Sequence, residues 1–263
     1  MKKDGHIHSP FCPHGTKDPF EKYIEKAIEE NFSEITFTEH APLPTNFADP
    51  TPNKDSGMKP KDLTAYLETL KQLKQHYKDR ITIKVGLEVD YIIGYETETR
   101  ALLDIAGPLL DDAILSVHFL KHNDTYACID FSDGVYMDFA RQLGGIETLY
   151  NLYYDTILQS IDANLGHFKP RRIGHPTLVH KFQLVHGEKI DDDRRIIEVL
   201  TKMKEKGYEL DVNSAGLSKP FCKVPYPPMH MIEYARSISL PLIFGSDAHS
   251  VKDLHQHYGT IMG

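Results

Sequence analysis

Asp4-Gly5-His6-Ile7-His8-Ser9 stands near one end of this 263-residue chain and Gly245-Ser246-Asp247-Ala248-His249 near the other. Each carries two metal-type donors one residue apart. Alternate residues of a strand point to the same face, so each stretch is a natural chelating pair if it ends a strand. Residues 5–8 read as a short first strand, and Leu242-Ile243-Phe244 is the strand leading into the second stretch. Working inward, the arrangement recurs. Glu39-His40 follows Ile35-Thr36-Phe37-Thr38, and Glu88 lies at the end of the run from Ile81 to Val89. His118 follows Ala113 to Val117, His175 follows Arg172-Ile173-Gly174, and His14 lies just behind the first pair. Seven histidines, one glutamate and one aspartate thus sit where strand ends should fall.

Helical patterns separate these strands. Residues 19–31 place Tyr23, Ile24, Ala27 and Ile28 on one stripe, with Asp18 as N-cap and Pro19 at the first helical position. From Pro60 to about residue 78, Leu63, Leu67, Leu70, Leu73 and Tyr77 recur at helical spacing. Further helices are expected over 96–106, 134–143, 146–164, 191–206 and 228–239, with a sixth strand from Tyr208 to Val212. Strands alternating with helices imply parallel strands under an outer helical layer. An open doubly wound sheet would leave the ends of its first and last strands far apart. A closed barrel brings every C-terminal strand end to one face, where all nine donors can meet. The expectation is an α/β barrel of about seven βα units in a single domain, residues 1–263. The chain stops soon after the seventh strand, so a shortened last helix or irregular closure is expected. Residues 42–59, with Pro42, Pro44, Pro50 and Pro52, read as a long loop beside the site.

A net charge of −8 argues against a nucleic-acid-binding surface. The three cysteines (Cys12, Cys128, Cys222) form no CxxC pair, which fits free thiols in a reducing compartment. Cys12 lies among the candidate donors as a weaker one. No apolar leader and no run of membrane-spanning length are present in the sequence, so a soluble cytoplasmic protein is expected. The oligomeric state is left open.

Imidazole and carboxylate together are the ligands of divalent transition metals such as zinc, iron or manganese. Any one of His14, His40 or His175 could equally be a hydrogen-bonded core residue or a solvated loop residue; the nine together at strand ends carry the argument. An ionised carboxylate in the apolar run around Glu88 is costly unless paired or metal-bound, and it is the best candidate to bridge two cations. The other eight histidines (His76, His122, His167, His180, His186, His230, His255, His257) are expected mostly at the surface, with His122 and His230 kept as minor candidates for substrate contact. Such a centre makes hydroxide at neutral pH and stabilises the charge of an in-line displacement at phosphorus. Glu88, Asp247 and His249 are the catalytic candidates. A phosphate ester would want further cations: Arg171, Arg172 (a tentative catalytic candidate as well) and Lys219 are candidates against plain surface charge. Asn213 and Ser214 could bond substrate or merely shape a turn. Asp49, Asp55, Asp130 and Asp133 could recognise a basic substrate end, although ordinary solvated loop charge is the simpler reading of each.

The stretches DGHIHSPFCPHG, FTEHAPLP, VGLEVDYI, SVHFL, IGHP, DVNSAGL and GSDAHS resemble, in order and across nearly the whole chain, the polymerase-and-histidinol-phosphatase (PHP) metallohydrolases. The resemblance is closest to the monofunctional histidinol-phosphatase branch. It implies a distorted (β/α)7 barrel with a trinuclear centre at the C-terminal ends of the strands. By position, one ion would take His6, His8, Glu88 and Asp247; a second would share Glu88 and take His118 and His175; a third would take His14, His40 and His249. It implies a phosphomonoesterase releasing phosphate from L-histidinol phosphate, a small-molecule ester, in histidine biosynthesis. Two alternatives stay open: a phosphoesterase acting on phosphotyrosine or nucleic-acid ends, and a non-catalytic metal-binding module.

Overall fold

Seven short strands form the staves of a barrel. They are β1 (Lys2–Ile7), β2 (Phe32–His40), β3 (Thr82–Asp90), β4 (Asp112–Ser116), β7 (Arg172–Ile173), β8 (Glu209–Asn213) and β9 (Leu242–Gly245). The computed structural model describes all 263 residues. The seven strands are parallel and pair in the order β1-β2-β3-β4-β7-β8-β9. The seam between β9 and β1 is closed just beyond the strand ends. There Asp247 N–H donates to the His6 carbonyl at 2.8 Å and His8 N–H to the Ala248 carbonyl at 3.0 Å. The barrel is therefore closed by the two motifs that sequence reasoning required to meet.

The outer layer comprises α1 (Phe20–Glu29), α2 (Leu63–His76), α3 (Glu96–Ala106), α4 (Asp133–Leu143), α5 (Ile146–Asp162), α6 (Gln183–His186), α7 (Asp193–Glu205), α8 (Ala215–Ser218), α9 (Met229–Ser237) and the five-residue α10 (Tyr258–Met262). Tyr23, Ile24 and Ala27 of α1 are buried as their stripe predicts. Asp18 does not cap α1; its carboxylate instead accepts from Thr16 Oγ1 and Val251 N–H. On α2 the leucine stripe misses one inward residue, Tyr66, which is fully buried and donates towards the carbonyls of Phe37 and Gly86. The main apolar core is one contiguous cluster of 58 buried residues.

Two features of the strands set the site. β2 and β3 pair without interruption from Glu34↔Thr82 to His40↔Glu88, which puts His40 and Glu88 side by side at one level. β1 is irregular between Asp4 and Ile7. Gly5 sits in that irregularity, where a Cβ would come within 2.2 Å of Arg172 Nη1, so only glycine fits. An antiparallel hairpin, β5 (Phe119–His122) and β6 (Thr125–Cys128), rises directly after His118. Its eight strand residues lie between the fourth strand and the helix expected over 134–143, where the sequence pattern assigned no element, because a short hairpin outside the barrel leaves no βα rhythm.

Candidate metal centre

All nine donors converge on the C-terminal mouth of the barrel. His6 and His8 are fully buried and Glu88 nearly so, while His14 is exposed at the rim. Glu88 is the hub. One carboxylate oxygen, Oε2, lies 3.4 Å from His6 Nε2, 3.6 Å from His8 Nε2 and 3.1 Å from His40 Nδ1. The other, Oε1, lies 2.9 Å from His175 Nε2 and 3.8 Å from His118 Nε2. Burial alone would raise the Glu88 pKa, but the His6, His40 and His118 imidazoles and the His175 bond overcome it and hold the carboxylate well below its usual range. Asp247 is likewise held low against burial by His6 and His8. His175 (φ 25°) and Asp247 (φ 51°) both take left-handed backbone, a strained conformation for residues with side chains.

Three donor groups stand close enough to share an ion: His6, His8 and Asp247; Glu88, His118 and His175; and His8, Cys12, His40 and His249, with ligand atoms inside each group within 4.8 Å of one another. The third group contains the Cys12 thiol in place of His14. Burial holds that thiol protonated.

The hydrogen-bond pattern tests whether cations belong here. His14 Nδ1 lies 2.9 Å from the Asp55 carbonyl oxygen, and His249 Nδ1 lies 3.1 Å from that of Asp247. A carbonyl only accepts, so both Nδ1 atoms carry the proton. His14 reaches the rim with one edge but is desolvated where it packs on the other rings; this desolvation, followed by the neighbouring imidazoles, lowers its pKa and takes that of His249 well below normal, which favours the neutral form of both. Their Nε2 lone pairs then face each other at 3.2 Å, a repulsive pairing that a shared cation relieves. His175 Nδ1 and His40 Nε2 are buried without a hydrogen-bond partner, and His6 Nε2 and His40 Nδ1 lie near Glu88 Oε2 without hydrogen-bond alignment. Orphaned polar atoms of this kind are costly in a folded core. The donor set fits divalent transition ions.

Behind the inner imidazoles stands a layer of carboxylates that sequence reasoning did not single out. Asp211 holds His6 Nδ1 at 2.9 Å, Glu39 holds His8 Nδ1 at 3.2 Å and Asp90 holds His118 Nδ1 at 2.7 Å. Each turns Nε2 towards the cavity, the arrangement that orients metal-binding imidazoles. Burial lowers the His8 pKa, but Asp247 and Glu39 take it to about 9; Asp90 takes His118 to about 10. The signal was available: each is a carboxylate in or ending an apolar strand, next to or two residues from another site residue.

Over the mouth lies a cavity of about 560 Å³. Besides the donors it is lined by Thr51, Asn53, Asp55 and Ser56 of the 42–59 loop, by Phe119, Cys128 and Asp130 around the hairpin, and by Lys181 and Lys219. Lys181 is paired with Asp130 at 3.0 Å. Lys219 lines this cavity, and Lys181 is a second cavity cation that the sequence gave no pattern for.

Four other candidates do not reach the cavity. Arg172 lies below it, its side chain fully buried and paired with Asp112 at 2.6 Å, so its catalytic and substrate-binding expectation is corrected: it points into the barrel at the N-terminal end of β7. Arg171 points outward over the Tyr208 ring, 5.4 Å from its centroid. Asn213 is buried and donates to Asp211 Oδ2 and Asp247 Oδ2, each at 3.2 Å, so it orients carboxylates. Ser214 Oγ donates to the Gly245 carbonyl at the β8–β9 ends. Two histidines expected at the surface are buried: His180 bonds Asp192 at 2.7 Å, and His255 stacks on Phe32 and bonds Glu30 at 2.8 Å. His230 is an exposed partner of Asp193. Asp49 is buried within its own loop and Asp133 opens α4 away from the cavity lining.

A closed seven-stranded parallel barrel with this donor set defines a metallohydrolase-type scaffold, and the PHP domain profile matches residues 4–215: the chain belongs to the PHP domain family. It is 44% identical over 264 residues to a histidinol-phosphatase of Bacillus subtilis, covering 100% of this chain and 98% of that protein. A crystal structure from Listeria monocytogenes assigned as a histidinol phosphatase superposes with a TM-score of 0.94 at 40% identity, over 98% of this chain and 99% of that one. The Lactococcus lactis histidinol phosphate phosphatase, solved with zinc, L-histidinol and phosphate, superposes at 0.74 and 23% identity, over 99% of this chain and 92% of that one, and shares the fold.

Proposed function

We propose that this chain is a metal-dependent phosphomonoesterase that hydrolyses L-histidinol phosphate to L-histidinol and phosphate. Glu88 would be shared by two ions, one also held by His6, His8 and Asp247 and the other by His118 and His175, and His14, His40 and His249 would hold a third. The observation that carries this reading is the His14–His249 contact, two bare Nε2 atoms 3.2 Å apart, beside a carboxylate ringed by five imidazoles. The substrate is supported by the 44% identity to the Bacillus enzyme over the full chain. When bound, the ions supply a hydroxide nucleophile and grip on the phosphoryl oxygens. The protein's own residues fix the donors from behind, through Asp211, Glu39 and Asp90. Lys219 and Lys181 offer cations for the phosphoryl oxygens at the cavity wall. Asp55 and Asp130 place carboxylates within reach of a basic leaving group.

The site suits a small ester in an open pocket whose lining sets Asp55, Asp90, Asp130 and Asp253 against Lys181 and Lys219, a balance that disfavours a polyanionic nucleic-acid strand. No helix is long and apolar enough to cross a membrane, and the reading places the enzyme in the cytoplasm. Open donor groups in a solvent-reachable cavity favour catalysis over metal storage. Remote contacts raise turnover as well as affinity, so histidinol phosphate should exceed p-nitrophenyl phosphate in kcat/KM by at least ~100-fold, about 3 kcal/mol. Equal efficiencies, or preference for a diester, would overturn the substrate assignment.

A further inference from the structure

The 42–59 loop does more than wall the cavity, and Asp49 is its organiser. This carboxylate is 7% exposed and is spent entirely inside the loop. Oδ1 accepts from Thr51 N–H and Thr51 Oγ1, both at 2.9 Å, and from Ser56 Oγ at 3.0 Å, while Oδ2 accepts from Ser56 N–H at 3.0 Å. The Lys54 ammonium caps the Asp49 carbonyl. These bonds pinch residues 49–56 into one turn-dense strap. At its root Phe47 packs edge-on against Tyr95, Phe119 and Tyr126 at 5.0–5.2 Å, outside the main core.

Both ends of the strap's working half touch donors of the outer group. The Asp55 carbonyl, next to the pinched Ser56, accepts from His14 Nδ1 at 2.9 Å. Met58 N–H donates to the His40 carbonyl at 3.2 Å. Gly57 lies between them, so close to β2 that a Cβ would stand 2.7 Å from the Ala41 carbonyl oxygen. His14 has no carboxylate behind it. The strap's carbonyl alone accepts from Nδ1–H, which fixes that tautomer and aims Nε2 at His249.

We infer that Asp49 is a positioning residue for the outermost ion: by pinching residues 49–56 it presents the Asp55 carbonyl to His14 and so sets the tautomer, direction and ion affinity of that donor. The assignment rests on the three-ion reading above. Partners behind metal-binding imidazoles change metal affinity by about 10–100-fold when removed. Here the partner is a backbone carbonyl that no substitution can delete, so its support is the group to remove.

The test is a zinc titration against a chromophoric chelator on metal-free wild type, Asp49→Ala, the milder Asp49→Asn and Ile196→Val. The last trims the core under α7, remote from the strap, and controls for simple destabilisation. Asp49→Ala should bind one ion about 10–100-fold more weakly while the other two change less than ~3-fold. Asp49→Asn, which keeps one acceptor oxygen but turns an amide against the Ser56 donors, should fall in the same direction. Excess zinc should restore kcat in both, and Ile196→Val should lower Tm with all three affinities unchanged. Three tight ions with wild-type affinities in Asp49→Ala and Asp49→Asn overturn the inference while leaving the three-ion reading intact. A wild type that holds fewer than three ions overturns both.

Discussion

The inner and outer halves of the donor set are built differently. His6, His8 and His118 each have a carboxylate on Nδ1, from Asp211, Glu39 and Asp90, and sit deep in the barrel. His14 and His249 have backbone carbonyls on Nδ1, and His14 reaches the rim. A carboxylate makes the imidazole a stronger donor than a neutral carbonyl does. The same fold therefore offers inner donors backed by carboxylates and outer donors backed by backbone carbonyls, one of them, on His14, supplied by a loop. The inner half depends on strand register and the outer half on the 49–58 strap.

The sharpest way to break this contrast is at the hub. On the proposed three-ion reading, Glu88→Gln removes the charge that two inner ions would share and should lower kcat on the order of 10³-fold, with circular dichroism near wild type. Near-normal turnover at matched metal loading would demote Glu88 to a structural role. A smaller effect is expected behind it. Asp211→Asn leaves His6 in place but weakens its partner, and one inner ion should bind about 10–100-fold more weakly. If instead only the outer ion weakens, the division between the halves is wrong.

The contrast also has a pH signature, the smallest of these effects. In the metal-free fold His8 titrates at about 9 and His118 at about 10, above the roughly 6.5 of an unfolded imidazole. Their folded pKa values are raised, so the stability these charged rings contribute is complete below pH 6.5 and is lost as pH climbs through 9 and 10. Metal-free protein should lose Tm between pH 7 and 10 by scanning calorimetry, while zinc-loaded protein, whose rings have already given up those protons, should hold its Tm better. A metal-free Tm that rises over that range contradicts the assignment of charge to the inner rings.

Much of this was legible in the chain because ligands repeat a local rule: a donor directly after an apolar run, on strands whose ends must meet. Asp247-Ala248-His249 and His6-Ile7-His8 read as the two sides of a barrel seam, and backbone bonds join them there. What escaped depends on contacts between distant segments. Arg172 and Arg171 are adjacent, yet one is buried against Asp112 and the other stacks outside on Tyr208; which neighbour points inward follows from strand pairing with β4 and β8 rather than from residue type. Asp49 is a different case, a local miss: its partners Thr51 and Ser56 lie two and seven residues on, and an Asp bonding the backbone two residues later is a turn signal that a bare count of loop acids passes over. His180 and His255 looked exposed because their partners, Asp192 and Glu30, come from other elements.

Metal content tests the account most directly. Protein loaded with zinc, iron or manganese and freed of excess should carry three ions per chain by elemental analysis. Anomalous diffraction should place two of them against Glu88 and the third among His14, His40 and His249. A saturated value of one ion per chain, or a full complement with none at Glu88, would contradict it.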